Sequence, residues 1–521
     1  MQLYRVLKWI RVGVALLFFL LFTFIFIDFS GLLPVWVYNS ATYLQFAPSI
    51  LEFTQLLSWS AAGFAFIVLL SLLFGRIYCS TICPIGTLQD IMIRIHKRFR
   101  IARRFRYVRT YNILRYSILL LTILVFLSGS SILINLLDPF SGFGKIFANI
   151  LRPLYVAINN LGALILNQFD VYSLYHVEYK AFALPAFLYA MGLMFLLSWL
   201  TLIRGRLFCN SICPVGTLLG LISKLSVFKL KIQENSCTNC WRCAMDCKAG
   251  CIDADKMYID FSRCIGCLNC TISCPNNGLS FVPAWKSKSV PGKSKSADAS
   301  KRNFIKYTAL FSLGLHKILR SQDKIVPTKD STIPEEKEFS VSPPGSRNIN
   351  RFNELCTACH LCVSACPTQV LQASFFQYGL QGMFQPYLDY HKSFCNYECR
   401  ICTDICPTGA LLPLNLAEKK LTQIGQVHFE KGNCIVETEG TDCGACSEHC
   451  PTKAVYMVPY NGLFLPEIDQ DICIGCGACE YACPTTPYKA IYVDGNPIHQ
   501  QAKEPSQEKI QEESSGEDFP F

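Results

Sequence analysis

Charge is scarce in this sequence: 17% of its 521 residues are Asp, Glu, Lys or Arg, against 51% that are hydrophobic. Between Arg11 and Arg76 there is no lysine or arginine at all. A chain so poor in charge, with 37 phenylalanines, does not read as a wholly water-soluble protein and points to a membrane component. The apolar residues concentrate in the first two hundred positions, and nearly all the cysteines follow them.

Cysteine, by contrast, is in excess. Its 29 copies are too many for an ordinary cytosolic enzyme, which leaves a disulfide scaffold or metal centres. Spacing decides between them. Six segments carry four cysteines each, and five of the six run C-x2-C-x2-C-x3-C or C-x3-C-x2-C-x3-C, usually with proline after the last. Disulfide geometry gives no reason for such a step, whereas a cubane cluster takes three thiolates from one tight loop and a fourth from a distant point. The expectation is six [4Fe-4S] clusters.

Residues 9–29, 54–74, 114–134 and 181–203 are each about 20 residues long and nearly uncharged, the length that a hydrocarbon core of about 30 Å demands. Four spanning helices are expected. The basic run Arg94, Lys97, Arg98, Arg100, Arg103, Arg104, Arg106, Arg109 and Arg115 lies between two of them and reads as cytoplasmic by the positive-inside rule, not as a nucleic-acid patch. A repeat closes the second and fourth spans: GRIYCSTICPIGTL from Gly75 and GRLFCNSICPVGTL from Gly205. Cys79, Cys83, Cys209 and Cys213 thus form a candidate seventh four-thiolate site, for a [2Fe-2S] centre or for copper or zinc. Buried packing cysteines or a redox dithiol are the competing readings.

After the fourth span come Cys237, Cys240, Cys243 and Cys247, then Cys264, Cys267, Cys270 and Cys274. In two-cluster ferredoxins the fourth cysteine of each run serves the other cluster, which pairs Cys274 with the first three and Cys247 with the second three. Cys251, four residues beyond Cys247, is an alternative ligand or a free thiol. From residue 351 onward lie four more quartets: Cys356, Cys359, Cys362, Cys366; Cys395, Cys399, Cys402, Cys406; Cys434, Cys443, Cys446, Cys450; and Cys473, Cys476, Cys479, Cys483. Spacing leaves open whether the first pairs with the second or with the fourth. The haem-like string CTACH ends in His360, but Cys362 and Cys366 complete a ferredoxin run around it.

The organisation expected is multidomain, an α-helical membrane domain plus α+β bacterial ferredoxin-like [4Fe-4S] modules. Its parts are a membrane domain at 1–228, a two-cluster module at 229–283, a linker at 284–350, a four-cluster domain at 351–495 and a disordered tail at 496–521. Within the linker, residues 301–319 begin KRNFIKYTALFSLGL, which reads either as a twin-arginine-like export signal or as an amphipathic helix. The last domain is accordingly expected on either the periplasmic or the cytoplasmic side, the first module on the cytoplasmic side.

The two C-x3-CP motifs with their trailing ferredoxin resemble NapH-type and NosR-type quinol dehydrogenase membrane proteins. The twin-arginine-like stretch, VSPPGSRN, CTACHLCVSACP, CNYECRICTDICPTGAL and CIGCGACEYACP are similar in order to NapG/MauM ferredoxin-type proteins. This resemblance covers nearly the whole chain. It implies a protein of the bacterial cytoplasmic (inner) membrane that takes electrons from the quinone pool as quinol and passes them to a reductase or carrier protein, with membrane lipid as its other partner. No flavin-attachment signature or large domain precedes the first span, which disfavours a NosR role. The alternative is a FixG-like copper reductase or oxidase-assembly factor; a regulator is disfavoured, since sensing needs one labile centre. His176 and Glu178, beside the fourth span, are candidates for accepting quinol protons.

Overall fold

The computed structural model describes residues 2–28, 31, 33–56, 62–99, 105–107, 111–180, 182–284 and 337–504. The segment 301–319 and residues 505–521 lie outside the described residues. Helices α1 (Gln2–Ile27), α2 (Val35–Tyr43), α3 (Phe46–Leu56) and α4 (Gly63–Phe74) lead to the first C-x3-C motif, carried by α5 (Tyr78–Thr81). Next come α6 (Pro84–Arg98), α7 (Asn112–Leu127), α8 (Ile132–Leu137), α9 (Pro139–Ile146) and α10 (Arg152–Asn167), the last two joined by a π turn at Phe147–Leu151. Helix α11 (Leu184–Arg204) leads to the second motif on α12 (Leu207–Ser211), and α13 (Pro214–Ser223) follows. Both repeats are punctuated alike. Gly75 and Gly205 stop α4 and α11 at φ 83° and 68°, and Pro84 and Pro214 open α6 and α13, where a missing N–H costs nothing.

Among the described residues, three helices are long and apolar enough to cross a membrane: Gln2–Ile27, Pro139–Asn167 and Leu184–Arg204. The first and last correspond to expected spans. The expected span at 114–134 is instead a 16-residue helix that ends before Gly129, whose φ is 84°, and the one at 54–74 contains the shorter α4. Pro139–Asn167 was not expected because Lys145 and Arg152 interrupt its apolar run. Both side chains are buried: Lys145 donates to the Asn135 carbonyl at 2.7 Å and Arg152 to the Val363 carbonyl at 3.3 Å. Outward faces of α1, α10 and α11 expose Leu17, Leu20, Ile158, Leu161, Leu188 and Phe195, as a lipid-facing surface would.

The two-cluster module pairs β1 (Phe228–Ile232) with β4 (Leu279–Pro283), and β2 (Ile252–Asp253) with β3 (Tyr258–Ile259), all antiparallel. In the C-terminal domain β5 (Leu371–Ala373) pairs with β6 (Pro386–Leu388), β7 (Thr422–Phe429) with β10 (Ile491–Gln501), and β8 (Val455–Tyr460) with β9 (Leu463–Ile468). That domain is larger than its cysteine pattern suggests. Ser342 and Ser346, assigned to the linker from composition, are fully buried beside His499, and β10 runs six residues into the supposed tail.

The two cysteine-rich parts sit at opposite ends of the helical bundle. Tyr4 near the start of α1 accepts a bond from Phe281 N, whereas Phe26 near its end packs on Gly144, which touches the Cys359 carbonyl. Arg115 at the start of α7 donates to Ser262, while Ser131 just beyond its end donates to Asn353 O at 2.7 Å. Helix α11 runs the other way: Tyr189 packs against Phe384 near its start, and Arg206 N meets Lys248 O past its end. At about 1.5 Å per residue, the bundle holds the two modules tens of ångströms apart.

Candidate metal centres

Each module forms cysteine-lined cavities at the ends of its short helices. Cys237, Cys240, Cys243 and Cys274 line one cavity, and Cys247, Cys264, Cys267 and Cys270 line the next, the exchange of fourth cysteines expected from spacing. In the C-terminal domain Cys366 joins Cys395, Cys399 and Cys402, and Cys483 joins Cys434, Cys443 and Cys446. Reciprocally, Cys406 lies within charge range of Cys356, Cys359 and Cys362, and Cys450 of Cys473, Cys476 and Cys479. First therefore pairs with second, and third with fourth. Backbone N–H groups point at the sulfurs, as they do around cluster thiolates: Gly278 N at 3.2 Å from Cys274 and Leu411 N at 3.4 Å from Cys406. Four thiols around each apolar cavity are a donor set that fits a [4Fe-4S] cluster.

Cys251 lines the same cavity as Cys247, their sulfurs 3.5 Å apart. Hydrogen bonding from Cys251 pulls the Cys247 pKa down to about 7, and the bonds Cys251 makes to Cys247 and Cys264 push its own pKa well up. The downward shift at Cys247 and the upward shift at Cys251 favour Cys247 as the fourth thiolate of this cavity.

The four cysteines of the repeat come together in the bundle, all buried, with the charges of Cys79, Cys209 and Cys213 felt at Cys83. Two fully buried arginines cross between the repeats. Arg76 Nη2 donates to the Cys209 carbonyl at 2.9 Å, and Arg206 Nη1 donates to the Cys79 carbonyl. Gly86 and Gly216 make room for this: a Cβ at either would overlap the Cys79 or Cys209 carbonyl and press on the arginine of the other repeat. Among the described residues no three His, Cys, Asp or Glu side chains are drawn together as tightly as one metal ion needs, about 3.8 Å between sulfurs at a Zn–S length of 2.3 Å. A multi-iron group holds its thiolates farther apart.

This region is also rich in buried cations. Arg11, Arg76, Arg115, Arg206 and Arg263 are all buried, and Lys248 nearly so. Asp90 takes Arg11, Arg206 and Lys248 at 4.0, 2.9 and 3.1 Å, and Asp260 takes Arg263 at 2.8 Å. Buried charge persists only where it is compensated, and Asp90 and Asp260 compensate Arg11, Arg206, Lys248 and Arg263. On one side Arg76 donates to the Ser262 carbonyl at 3.1 Å, in the loop before Cys264. On the other, the charge of Asp138 is felt at both Cys213 and Cys359.

His360 is buried between Asn149 of the π turn, 3.0 Å from its Nδ1, and the Phe384 carbonyl, 2.9 Å from its Nε2. A carbonyl only accepts, so Nε2 carries the proton and Nδ1 accepts from Asn149. Burial, and next the charge of Lys145, hold its pKa down at about 3, so it is a neutral tie between bundle and domain. Glu178 and His176 lie on an exposed strand of chain, with the Glu178 carboxylate 3.4 Å from Lys180 and its carbonyl accepting from Gln369. The Glu178 carbonyl thereby ties this loop to the C-terminal domain.

Matches to a family described as "4Fe-4S binding domain" cover residues 56–102 and 186–233, each containing one C-x3-CP motif. A second family of that description matches residues 257–280, and a "4Fe-4S dicluster domain" matches 355–410 and 440–486. The chain carries [4Fe-4S] binding domains. Ferredoxin-type protein NapF of Escherichia coli K12 is 26% identical over 26% of this chain and 74% of its own length. Methylamine utilization ferredoxin-type protein MauM of Methylophilus methylotrophus is 33% identical over 27% of this chain and 65% of its own. YccM of Escherichia coli K12 is 30% identical over 40% of this chain, which spans about half of YccM, 52%. The chain is similar to ferredoxin-type [4Fe-4S] electron-transfer proteins. No solved structure matches it. The dicluster matches group the C-terminal quartets as the cavities do, first with second and third with fourth.

Proposed function

We propose that this protein is a membrane-spanning electron conduit that joins a carrier on one side of the bundle to a carrier on the other. Iron–sulfur clusters, when bound, supply one-electron transfer. The observation that carries the proposal is the position of the four-thiol site, flanked by Arg76 towards Cys264 and by Asp138 towards Cys359. Two modules held a bundle's length apart exchange electrons efficiently only through an intermediate centre, and these four cysteines are where the chain offers one. Beyond it the sets continue in series, with Cys395 N bonded to Cys476 O at 2.9 Å between the two C-terminal pairs.

A NapH-like half fused to a NapG/MauM-like half is the kinship that fits this layout. Quinol as donor and a reductase as acceptor are the roles that follow from it, in a bacterial inner membrane. Compared with a copper reductase, the conduit accounts for the four C-terminal quartets and for the buried cations around the thiols. Anaerobic iron and sulfide analysis, with EPR during addition of a menaquinol analogue, tests it. More than about 24 irons per chain, with signals from both modules appearing as quinol is added, is the expected result. Reduction confined to one module would refute conduction through the bundle, and no response to quinol with full reduction by dithionite would move the donor elsewhere.

A further inference from the structure

The two repeats are built alike but charged differently. Arg206 has a carboxylate: Asp90 lies 3.0 Å from its Nε and 2.9 Å from its Nη2. Arg76, at the equivalent position, meets none among the described residues. Its Nη1 donates to Asn210 Oδ1 at 3.0 Å and to Ser262 O at 3.1 Å, its Nη2 to Cys209 O at 2.9 Å, and its Nε has no partner. The Cys79 sulfur lies 3.7 Å from Nη2. A fully buried guanidinium bound only to neutral oxygens carries an uncompensated charge, a cost no fold bears without an anion nearby. The groups against it that can become anionic are thiols, with the Cys79 sulfur nearest and those of Cys209 and Cys213 within charge range.

We propose that Arg76 is the counter-ion of the centre held by Cys79, Cys83, Cys209 and Cys213, and that its charge raises the reduction potential of that centre. This rests on the reading that those cysteines hold an iron–sulfur cluster. Four thiolates outweigh the charge of the iron–sulfur core, and one electron taken from a reduced neighbouring cluster makes the centre more negative by one unit. A fixed cation beside it stabilises that reduced form more than the oxidised one. Arginine keeps its proton throughout, so the electron arrives without proton transfer at this residue. The bonds to Asn210, Cys209 and Ser262 hold the guanidinium in place, so no reorganisation accompanies the change.

The test is an EPR-monitored redox titration of the full-length protein, purified anaerobically, with dithionite as reductant. Cys79→Ser and Cys213→Ser identify the signal: both are expected to lose it and to lose iron. If neither changes the iron content or any signal, the cluster reading itself fails. With the signal assigned, Arg76→Gln is expected to keep the iron and to move the midpoint to more negative potential, by at least tenfold in the reduction equilibrium, or about 59 mV for one electron. Arg76→Lys, which keeps the charge, is expected to stay near the parent value. Should Arg76→Gln fail to assemble, Asn210→Asp decides, because it sets a carboxylate against Nη1 and is expected to give the same negative shift. An assigned signal that does not move in whichever of these variants assembles overturns the counter-ion role.

Discussion

At the residue scale the first module offers five thiols for four positions around one cavity, and chemistry separates them. Cys251 is hydrogen-bonded to the sulfurs of Cys247 and Cys264, and these bonds push its pKa well up, which disfavours it as the thiolate. Cys251→Ala is therefore expected to leave iron content unchanged, while Cys247→Ala loses about four irons per chain, both read by iron analysis of the purified protein. His499 carries a second prediction. It is half-buried against Ser342 and Ser346, and desolvation depresses its pKa to about 4. Since an unfolded histidine titrates near about 6.5, its neutral form contributes stability above that pH, and the contribution fades as pH falls towards about 4. In thermal unfolding of the full chain between pH 7.5 and 5.5, His499→Gln is expected to flatten the C-terminal domain's loss of stability relative to the parent.

At the scale of elements the recurring device is Gly-Arg before, and Pro-x-Gly after, each C-x3-C. The prolines and left-handed glycines set where helices stop and start, and Gly86 and Gly216 let an arginine from the other repeat reach a cysteine carbonyl. Gly86→Ala and Gly216→Ala are expected to destabilise by about 1–3 kcal/mol through forced overpacking and to lower iron retention. Gly192, in α11, has nothing within 4 Å of where its Cβ would be, so Gly192→Ala is the matched control with iron unchanged. A parent-like Gly86→Ala would mean that the repeats do not pack as described. The π turn at Phe147–Leu151 belongs to this scale too: it presents Asn149 to His360, a recurring use of such irregularities.

At the scale of the whole molecule, α1, α7 and α11 each touch one cysteine-rich module at one end and the other module at the other. On the proposed conduit reading, the modules lie on opposite faces of the membrane. Limited proteolysis of sealed, right-side-out vesicles is expected to cut within one of the two modules only, and inverted vesicles to reverse the pattern. Cutting in both modules from the same side would contradict the trans-bundle layout. The exposed apolar faces of α10 and α11 predict that the protein stays with the membrane at high salt and leaves it only with detergent.

The cysteine spacings were readable from the chain because a cluster loop is local: three ligands within seven or eight residues, or thirteen in the loop from Cys434 to Cys446, need no distant information. The same holds for the repeat and for α1 and α11, whose apolar runs are continuous. Other features depend on contacts between residues far apart in sequence and leave no local mark. Arg76 meets Cys209 across 133 positions, and Lys145 and Arg152 are tolerated within an apolar helix because Asn135 and Val363 accept their hydrogen bonds. Ser342 and Ser346 looked like linker by composition and are buried because His499, more than 150 positions away, returns beside them. The sequence by itself determined the cysteine quartets, the repeat and the apolar runs of α1 and α11. Only the tertiary structure decided the pairing of the quartets, the separation of the modules and the charge against the four central thiols, since each is set by which distant segments pack together.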